Sequence, residues 1–346
     1  MTDKATSTST NALGLGRGAY AGGKSTLCPG CGHDSVTAQI IAACYELNIP
    51  PHRVAKFSGI GCSSKTPGYF LSRAQGFNGT HGRMPSIATG GLLANRSLIG
   101  LGVTGDGDTA SIGLGQFAHL LRRNVRMAYI IENNGVYGLT KGQFSATADE
   151  GSVHRGGEVN RQTPIDCCAL ALELGCGFVS RTFSADRTQL AALLKAALSF
   201  DGTALIDVVS PCVTFNNHPS STKSYGYVKE HEEPLHAIDF IPHFEPHPEI
   251  ELKPGEVREL TLHDGSVIRL LRTAADYDPQ SRRAAFELFE RARGEKLLPT
   301  GLLFFDPSRP AFDTQCGLVD EPLAALGVET LRPPPEALAA IMEELK

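Results

Sequence analysis

Two kinds of stretch alternate along the chain. Short, near-continuous apolar runs occur at Val54–Phe57, Leu98–Val103, Val125–Ile131 and Ala204–Val209, and a fifth strand candidate lies between helical stretches at Phe178–Phe183. Runs of this kind predict strands buried on both faces of a parallel sheet. Between them, apolar residues recur at helical spacing over Asp34 to about Leu47, Thr109–Arg122, Ile165–Leu174 and Arg187–Leu198. Asp34 or Ser35 is placed to cap the first helix, and Pro50-Pro51 closes its region. The alternation predicts an α/β fold built on a doubly wound, mostly parallel sheet, with a C-terminal extension.

In such sheets ligands bind beyond the carboxyl ends of the strands. The residues that follow each run therefore matter. Val54–Phe57 leads into Ser58-Gly59-Ile60-Gly61-Cys62, and Leu98–Val103 into Gly105-Asp106-Gly107-Asp108. Val125–Ile131 leads into Glu132-Asn133-Asn134-Gly135, and Ala204–Val209 into Ser210-Pro211-Cys212. Cys62, Asp106, Asn133, Asn134 and Cys212 are thus expected on one sheet edge despite their distance in sequence.

The pattern shifts after about Glu230. Residues 231–257 are rich in Pro, Glu and His, which predicts an extended surface segment. Ser281–Glu295 returns to helical periodicity, with Ala285, Phe286, Phe289 and Ala292 on one face. Residues 1–12 are polar and lack the apolar core of a signal peptide. The expected organisation is a flexible N-terminus over 1–19, a cofactor domain over 20–230, and an extension over 231–346 for packing or subunit contact. No apolar run reaches the ~18 residues of a membrane span, so a cytoplasmic chain with no membrane contact is expected.

Composition narrows the function classes. The 346 residues are 41% hydrophobic, enough for one large α/β domain and an extension. The formal net charge is −5 and no basic run occurs, so nucleic acid is not an expected partner. Nine cysteines, at 28, 31, 44, 62, 167, 168, 176, 212 and 316, are many. In a cytoplasmic chain they favour metal binding or catalysis, and the odd number opposes a complete disulfide framework.

Gly105-Asp106-Gly107-Asp108 lies between a strand and a helix. Its glycines let backbone N–H groups approach a phosphate, and a helix start favours an anion. A carboxylate there suits Mg²⁺ shared with a diphosphate, because Mg²⁺ takes oxygen ligands and usually keeps substrate phosphates. Gly-Asp-Gly alone is also an ordinary strand-to-helix turn. Asn133-Asn134 at the end of the next strand makes the pair specific, and the pair resembles the signature of thiamine-diphosphate enzymes. That resemblance implies that Asp106, the Asn134 side chain and the Val136 carbonyl hold Mg²⁺.

Cys28-Pro29-Gly30-Cys31 offers two thiolates on a Gly/Pro loop. Alone it is ambiguous between zinc, a redox pair and a cluster. With Cys62 and Cys212 at strand ends, four irregularly spaced thiolates suit a [4Fe–4S] cluster. Zinc stays open on number alone. Cys44, Cys167, Cys168 and Cys176 lie in or beside apolar helices and read as small buried hydrophobes, and Cys316 has no assigned role.

The stretches CPGCGH at 28–33, GIGCSSK at 59–65, THGR at 80–83, GDGD at 105–108, NNGVYGLTKGQ at 133–143 and SPC at 210–212 occur in order. Together they resemble the β subunit of 2-oxoacid:ferredoxin oxidoreductases, over roughly residues 20–230, and most of all the 2-oxoglutarate branch. The resemblance implies thiamine diphosphate, Mg²⁺ and one [4Fe–4S] cluster. It implies oxidative decarboxylation of a 2-oxoacid with coenzyme A as acyl acceptor and ferredoxin as electron acceptor. It also implies an α subunit that completes the thiamine site, in an αβ unit commonly dimerised to (αβ)2. Ile60, Gly61, Cys62, Ser63, His81, Gly105, Asp106, Gly107, Asp108 and Leu139 are then expected against the cofactor. Lys65 and Lys141 are candidates for holding substrate carboxylates. Pyruvate, a branched-chain acid, or a non-redox thiamine enzyme remain alternatives.

Overall fold

The structure is a computed structural model that describes residues 10–153, 157–218, 221–235, 257–261, 267–271 and 277–346. Its first half contains helix α1 (Gly32–Glu46), strands β1 (Val54–Ser58) and β2 (Gln75–Asn78), helix α2 (Met84–Ala94), strand β3 (Ile99–Gly105), helix α3 (Leu114–Arg123) and strand β4 (Met127–Asn133). A small hairpin of β5 (Val136–Tyr137) and β6 (Gln143–Phe144) follows, then α4 (Cys167–Glu173), β7 (Phe178–Phe183), α5 (Arg187–Leu198) and β8 (Thr203–Val209). The chain continues through α6 (Tyr225–His231), β9 (Glu232–Pro234), an isolated hairpin of β10 (Val257–Thr261) and β11 (Val267–Leu271), α7 (Arg282–Glu295) and β12 (Leu298–Phe305).

One sheet runs in the order β2-β1-β3-β4-β8-β7-β12-β9. The pairs from β2 to β7 are all parallel, and β12 lies antiparallel on β7. Every residue of β1, β4, β7 and β8 is buried, as expected of strands covered on both faces. Successive side chains feed two separate cores. Met127, Tyr129 and Ile131 join one with α2, α3, α4 and α7, whereas Ala128 and Ile130 join the other with α1 and α5. The expected α/β architecture is therefore the one observed. Because β1, β3, β4 and β8 lie side by side and parallel, their carboxyl ends emerge together, which brings the loops after them to one edge.

The local readings succeed and fail for identifiable reasons. Phe178–Phe183 and Arg187–Leu198 are observed with the predicted limits. Neither Asp34 nor Ser35 caps α1, because the helix starts earlier, at Gly32, behind Cys31. The stretch Thr109–Arg122 divides into a π-helical turn at Gly107–Ile112 and α3. β2, α2 and β12 have no counterpart among the predicted elements. β2 is exposed and has no apolar pattern to detect, whereas β12 inserts a piece of the distal chain beside β7. Helix α7 buries Ala285, Phe289 and Ala292 as expected, and Leu288 as well. Of the segment 231–257, Glu232–Pro234 is extended and pairs with β12, and 236–256 lie outside the described residues. Of the expected flexible N-terminus, 1–9 likewise lie outside them, while Thr10 bridges Gly16 and Arg17–Tyr20 form a 3-10 turn. Among the described residues, no helix is long and apolar enough to cross a membrane.

Lys56 is a charge inside the all-buried strand β1. Its Nζ donates to the carbonyls of Pro67, Phe70 and Leu71 at 2.8, 2.8 and 2.9 Å. The ammonium thus clips down the loop that begins at Cys62. Lys56→Met keeps the volume and removes all three bonds, and hydrogen bonds to charged groups are worth about 1.5–3 kcal/mol each before compensation by relaxation. Urea denaturation is expected to show a loss of about 2–3 kcal/mol.

Candidate active site

The sheet edge opens into a cleft of about 450 Å³, counting its mouth. Its walls contain Ile60, Gly61, Cys62 and Ser63 after β1, His81, Gly105 to Asp108 after β3, and Asn134, Val136 and Leu139 after β4. These are the residues expected against cofactor and Mg²⁺, drawn into one place from four chain segments. His33, Glu132, Tyr137, Gly138 and Thr140 complete the walls.

Backbone close-packing explains the glycines. A methyl group on Gly107 would lie 2.5 Å from the Tyr137 ring, and one on Gly59 would lie 1.9 Å from an Asp108 oxygen. Only a residue without Cβ lets these loops approach. Tyr137 in turn donates its hydroxyl to the Gly107 carbonyl at 3.0 Å.

Asp106 is 1% exposed and starts the π-helical turn. Its Oδ1 accepts from the Asn134 N–H at 3.2 Å. Its Oδ2 accepts from Ser145, and lies 2.7 Å from Thr147 Oγ1. Burial raises its pKa, and these hydrogen bonds oppose the rise. Asn134 Oδ1 accepts from the Val136 N–H at 3.1 Å, which sets the turn that presents the Val136 carbonyl. Carboxylate, amide and carbonyl oxygens are the donor types that Mg²⁺ prefers.

Behind Asp106 runs a buried polar chain that carries no sequence signature. Thr147 Oγ1 lies 3.0 Å from Asn133 Oδ1, and Asn133 Nδ2 donates to Asp207 Oδ1 at 3.0 Å. Arg181 then donates to Asp207 through Nε at 3.0 Å and to Asp166 through Nη2 at 2.6 Å. Asp166 caps α4 through the N–H groups of Cys168 and Ala169. Burial alone would raise Asp166, but the Arg181 guanidinium and the helix N–H groups hold it below the ordinary carboxylate range. The first Asn of the pair therefore braces the second, which faces the cleft.

Asp108 has a different task from Asp106. Its Oδ1 pairs with His81 Nδ1 and accepts from the Gly82 N–H at 2.7 Å, and its Oδ2 accepts from Thr104 at 2.7 Å. It thereby ties the His81 loop to the floor of the cleft. Lys65 and Lys141 are exposed and do not line the cleft. Lys65 is close enough to Cys62 to favour its thiolate. Lys141 follows two wall residues and has a positive φ of 81°.

The cysteines divide by exposure. Cys44, Cys167, Cys168 and Cys176 are buried, as expected of small hydrophobes, whereas Cys28, Cys31, Cys62 and Cys212 are all partly or fully exposed, as is Cys316 in the distal chain. A methyl on Gly138 would lie 3.6 Å from Cys212 Sγ and 3.7 Å from Cys62 Sγ, so these two sulfurs flank the cleft. Thr214, two residues beyond Cys212, reaches Cys28 Sγ at 3.8 Å. Burial pushes the Cys31 thiol up to about 12, and repulsion from Glu132 and Cys212 adds to the rise. Burial also raises Cys62, with repulsion from Cys212 and Cys28. Four sulfurs that repel one another as thiolates need compensating positive charge. Among the described residues, no group of three His, Cys, Asp or Glu side chains converges as a single-ion site would require.

Sequence reasoning misses Glu132 and His33. Both carry a signal, a carboxylate at the end of an apolar strand and a histidine beside the first cysteine pair. Ser145 and Thr147 carry none.

Fold and cleft together define a thiamine-diphosphate-binding α/β protein. Residues 59–208 match the family described as thiamine pyrophosphate enzyme, C-terminal TPP binding domain. The chain is 38% identical over 233 residues to the 2-oxoacid:ferredoxin oxidoreductase subunit beta of a Sulfolobus species, covering 67% of this chain and 73% of that one. It is 40% identical over 191 residues to the 2-oxoglutarate oxidoreductase subunit KorB of Mycobacterium tuberculosis, covering 55% and 51%. The solved 2-oxoglutarate:ferredoxin oxidoreductase from Magnetococcus marinus, with 2-oxoglutarate, coenzyme A and succinyl-CoA bound, superposes with a TM-score of 0.73 at 28% identity, over 94% of this chain and 96% of that one. The chain belongs to the β subunits of the 2-oxoacid:ferredoxin oxidoreductases and is a subunit of an oxidoreductase.

Proposed function

We propose that this chain, with an α subunit, carries out the coenzyme A-dependent oxidative decarboxylation of 2-oxoglutarate to succinyl-CoA and CO₂ in the cytoplasm. Electrons pass through a [4Fe–4S] cluster held by Cys28, Cys31, Cys62 and Cys212 to ferredoxin, and the reaction is reversible for CO₂ fixation. The observation that carries this reading is the single cleft in which the diphosphate motif and Cys62 share a wall. Thiamine diphosphate, when bound, supplies an electron sink for the carbon that loses CO₂, and the cluster supplies a one-electron carrier.

This chain's own residues position and compensate charge. Asp106, Asn134 and Val136 would hold Mg²⁺. Gly105, Gly107 and Asp108 shape the floor, and His81 would face the diphosphate. Ile60, Gly61, Ser63 and Leu139 exclude water around the reacting end. Lys65 and Lys141, outside the cleft walls but close in the chain to wall segments 60–63 and 139–140, would neutralise the substrate carboxylates at its mouth, since an anion beside a diphosphate needs cations. The assembly is an (αβ)2 unit, with the α subunit completing the thiamine site.

The reading is tested on αβ protein purified anaerobically. About four irons per β chain and reduction of a viologen dye with 2-oxoglutarate and coenzyme A are expected. A colourless, zinc-bearing protein would overturn the cluster. A higher rate with pyruvate or a branched-chain 2-oxoacid would overturn the substrate, an alternative favoured by the broader 2-oxoacid name of the Sulfolobus relative. Lys141→Ala is expected to raise KM for the 2-oxoacid about tenfold or more with little change in kcat. Unchanged steady-state kinetics would remove Lys141 from the substrate site.

A further inference from the structure

Glu132 is fully buried on β4, in the wall of the cleft. Thr66 Oγ1 donates to its Oε2 at 2.9 Å, and His33 Nδ1 lies 3.7 Å from the same oxygen. His33 Nδ1 also lies 2.7 Å from Ser210 Oγ. The other carboxyl oxygen, Oε1, is buried and has no hydrogen-bond partner among the described residues. His33, Thr66 and Ser210 are at most 1% exposed.

The members of this group come from distant parts of the chain and share one property. His33 stands two residues after Cys31, Thr66 sits in the 3-10 turn that Cys62 caps, and Ser210 stands two residues before Cys212. Glu132 itself stands two residues before Asn134. One buried polar node thus touches three cysteine-bearing segments and the strand that carries the Asn pair. The approach is close: a methyl on Gly32 would lie 2.5 Å from Ser210 Oγ. A buried carboxyl with an unsatisfied oxygen is destabilising relative to a satisfied one, so its place in an all-buried strand calls for a task.

We propose that Glu132, with Thr66, His33 and Ser210, forms a bracket that sets the positions of the Cys31, Cys62 and Cys212 segments against the cofactor cleft. Glu132 is a positioning residue and not a ligand. The inference rests on the reading of the four cysteines as an iron–sulfur site, and it assigns to this node the support that ligand shells commonly receive from buried partners.

The test uses the full β chain purified anaerobically with its α subunit, as wild type and as Glu132→Ala, Glu132→Gln, Thr66→Val and Ser210→Ala. Glu132→Ala and Thr66→Val are expected to lose iron to a ferrous chelator roughly 10–100-fold faster than wild type, read as bleaching of the cluster absorbance. They are also expected to shift the midpoint potential and the electron paramagnetic resonance signal of the reduced cluster. Glu132→Gln, which keeps the shape and the acceptor for Thr66, is expected to return both towards wild type. If Glu132→Ala does not fold, Thr66→Val and Ser210→Ala carry the comparison. Wild-type potential, spectrum and chelation rate in all folded variants would overturn the bracket alone. A wild-type protein without iron would overturn the bracket together with the cluster.

Discussion

Arg181→Leu is expected to destabilise the chain by about 3–5 kcal/mol. The guanidinium is buried and donates to two carboxylates at once, Asp207 at 3.0 Å and Asp166 at 2.6 Å. Its removal leaves Asp207, which is 1% exposed, without its cation. Breaking a buried pair by deleting one partner is far more damaging than exchanging the whole pair for apolar groups. The double variant Arg181→Leu/Asp207→Leu should therefore recover part of the loss. The pH dependence follows the same logic. Asp166 is held below its ordinary value of 3.8, so its contribution is fully present above that value and is lost as pH falls through the folded one. Without Arg181 this acid limb should flatten. Urea titrations at neutral pH and near pH 3 measure both effects. A single variant with wild-type stability would mean that the network contributes nothing.

Asp106→Ala is expected to weaken thiamine-diphosphate binding by at least about a hundredfold, more than is usual for losing a supporting contact to a metal site. Two effects coincide at this carboxylate. It would give Mg²⁺ a charged oxygen donor, and it accepts from Ser145, Thr147 and the Asn134 N–H. Asp106→Asn separates them, because the amide keeps an acceptor and the shape but not the charge. Calorimetric titration with the cofactor, with and without Mg²⁺, should show that Asp106→Asn folds normally and has lost the Mg²⁺-dependent part of binding. If Asp106→Asn bound the cofactor with undiminished Mg²⁺ dependence, another residue would have to hold the metal.

Much of the fold and of the cleft is legible in the residue pattern, and the reasons are physical. Strands covered on both faces are largely apolar, so β4 and β8 stand out as apolar runs, whereas β7, with Ser180, Arg181 and Thr182 at its centre, stands out only by its place between two helical stretches. Residues just past parallel strands must gather at one edge, so the diphosphate motif and Cys62 are expected to meet. What stays hidden depends on pairing across the chain. Thr147 becomes important only because Asp106 and Asn133 reach it, and Arg181 only because Asp166 and Asp207 lie on either side. Asp108 lines the cleft as its place in the motif predicts, but its bonds to His81, Gly82 and Thr104 are not legible in the sequence. Lys56 cannot be read as a loop clip, since its three carbonyl partners carry no side-chain signature.

The place of β12 beside β7 also bears on how the protein is made. Phe178–Phe183 has β8 on one side and β12 on the other, and β12 ends at Phe305. A growing chain therefore presents one bare edge of β7 for about 120 further residues of synthesis, roughly 6–24 s at ordinary translation speeds. An unpaired edge made entirely of residues that are buried in the finished protein is a template for joining other chains. Ribosome-bound fragments stopped between β8 and β12 should be the species that chaperones hold, and messages truncated there should yield inclusion bodies.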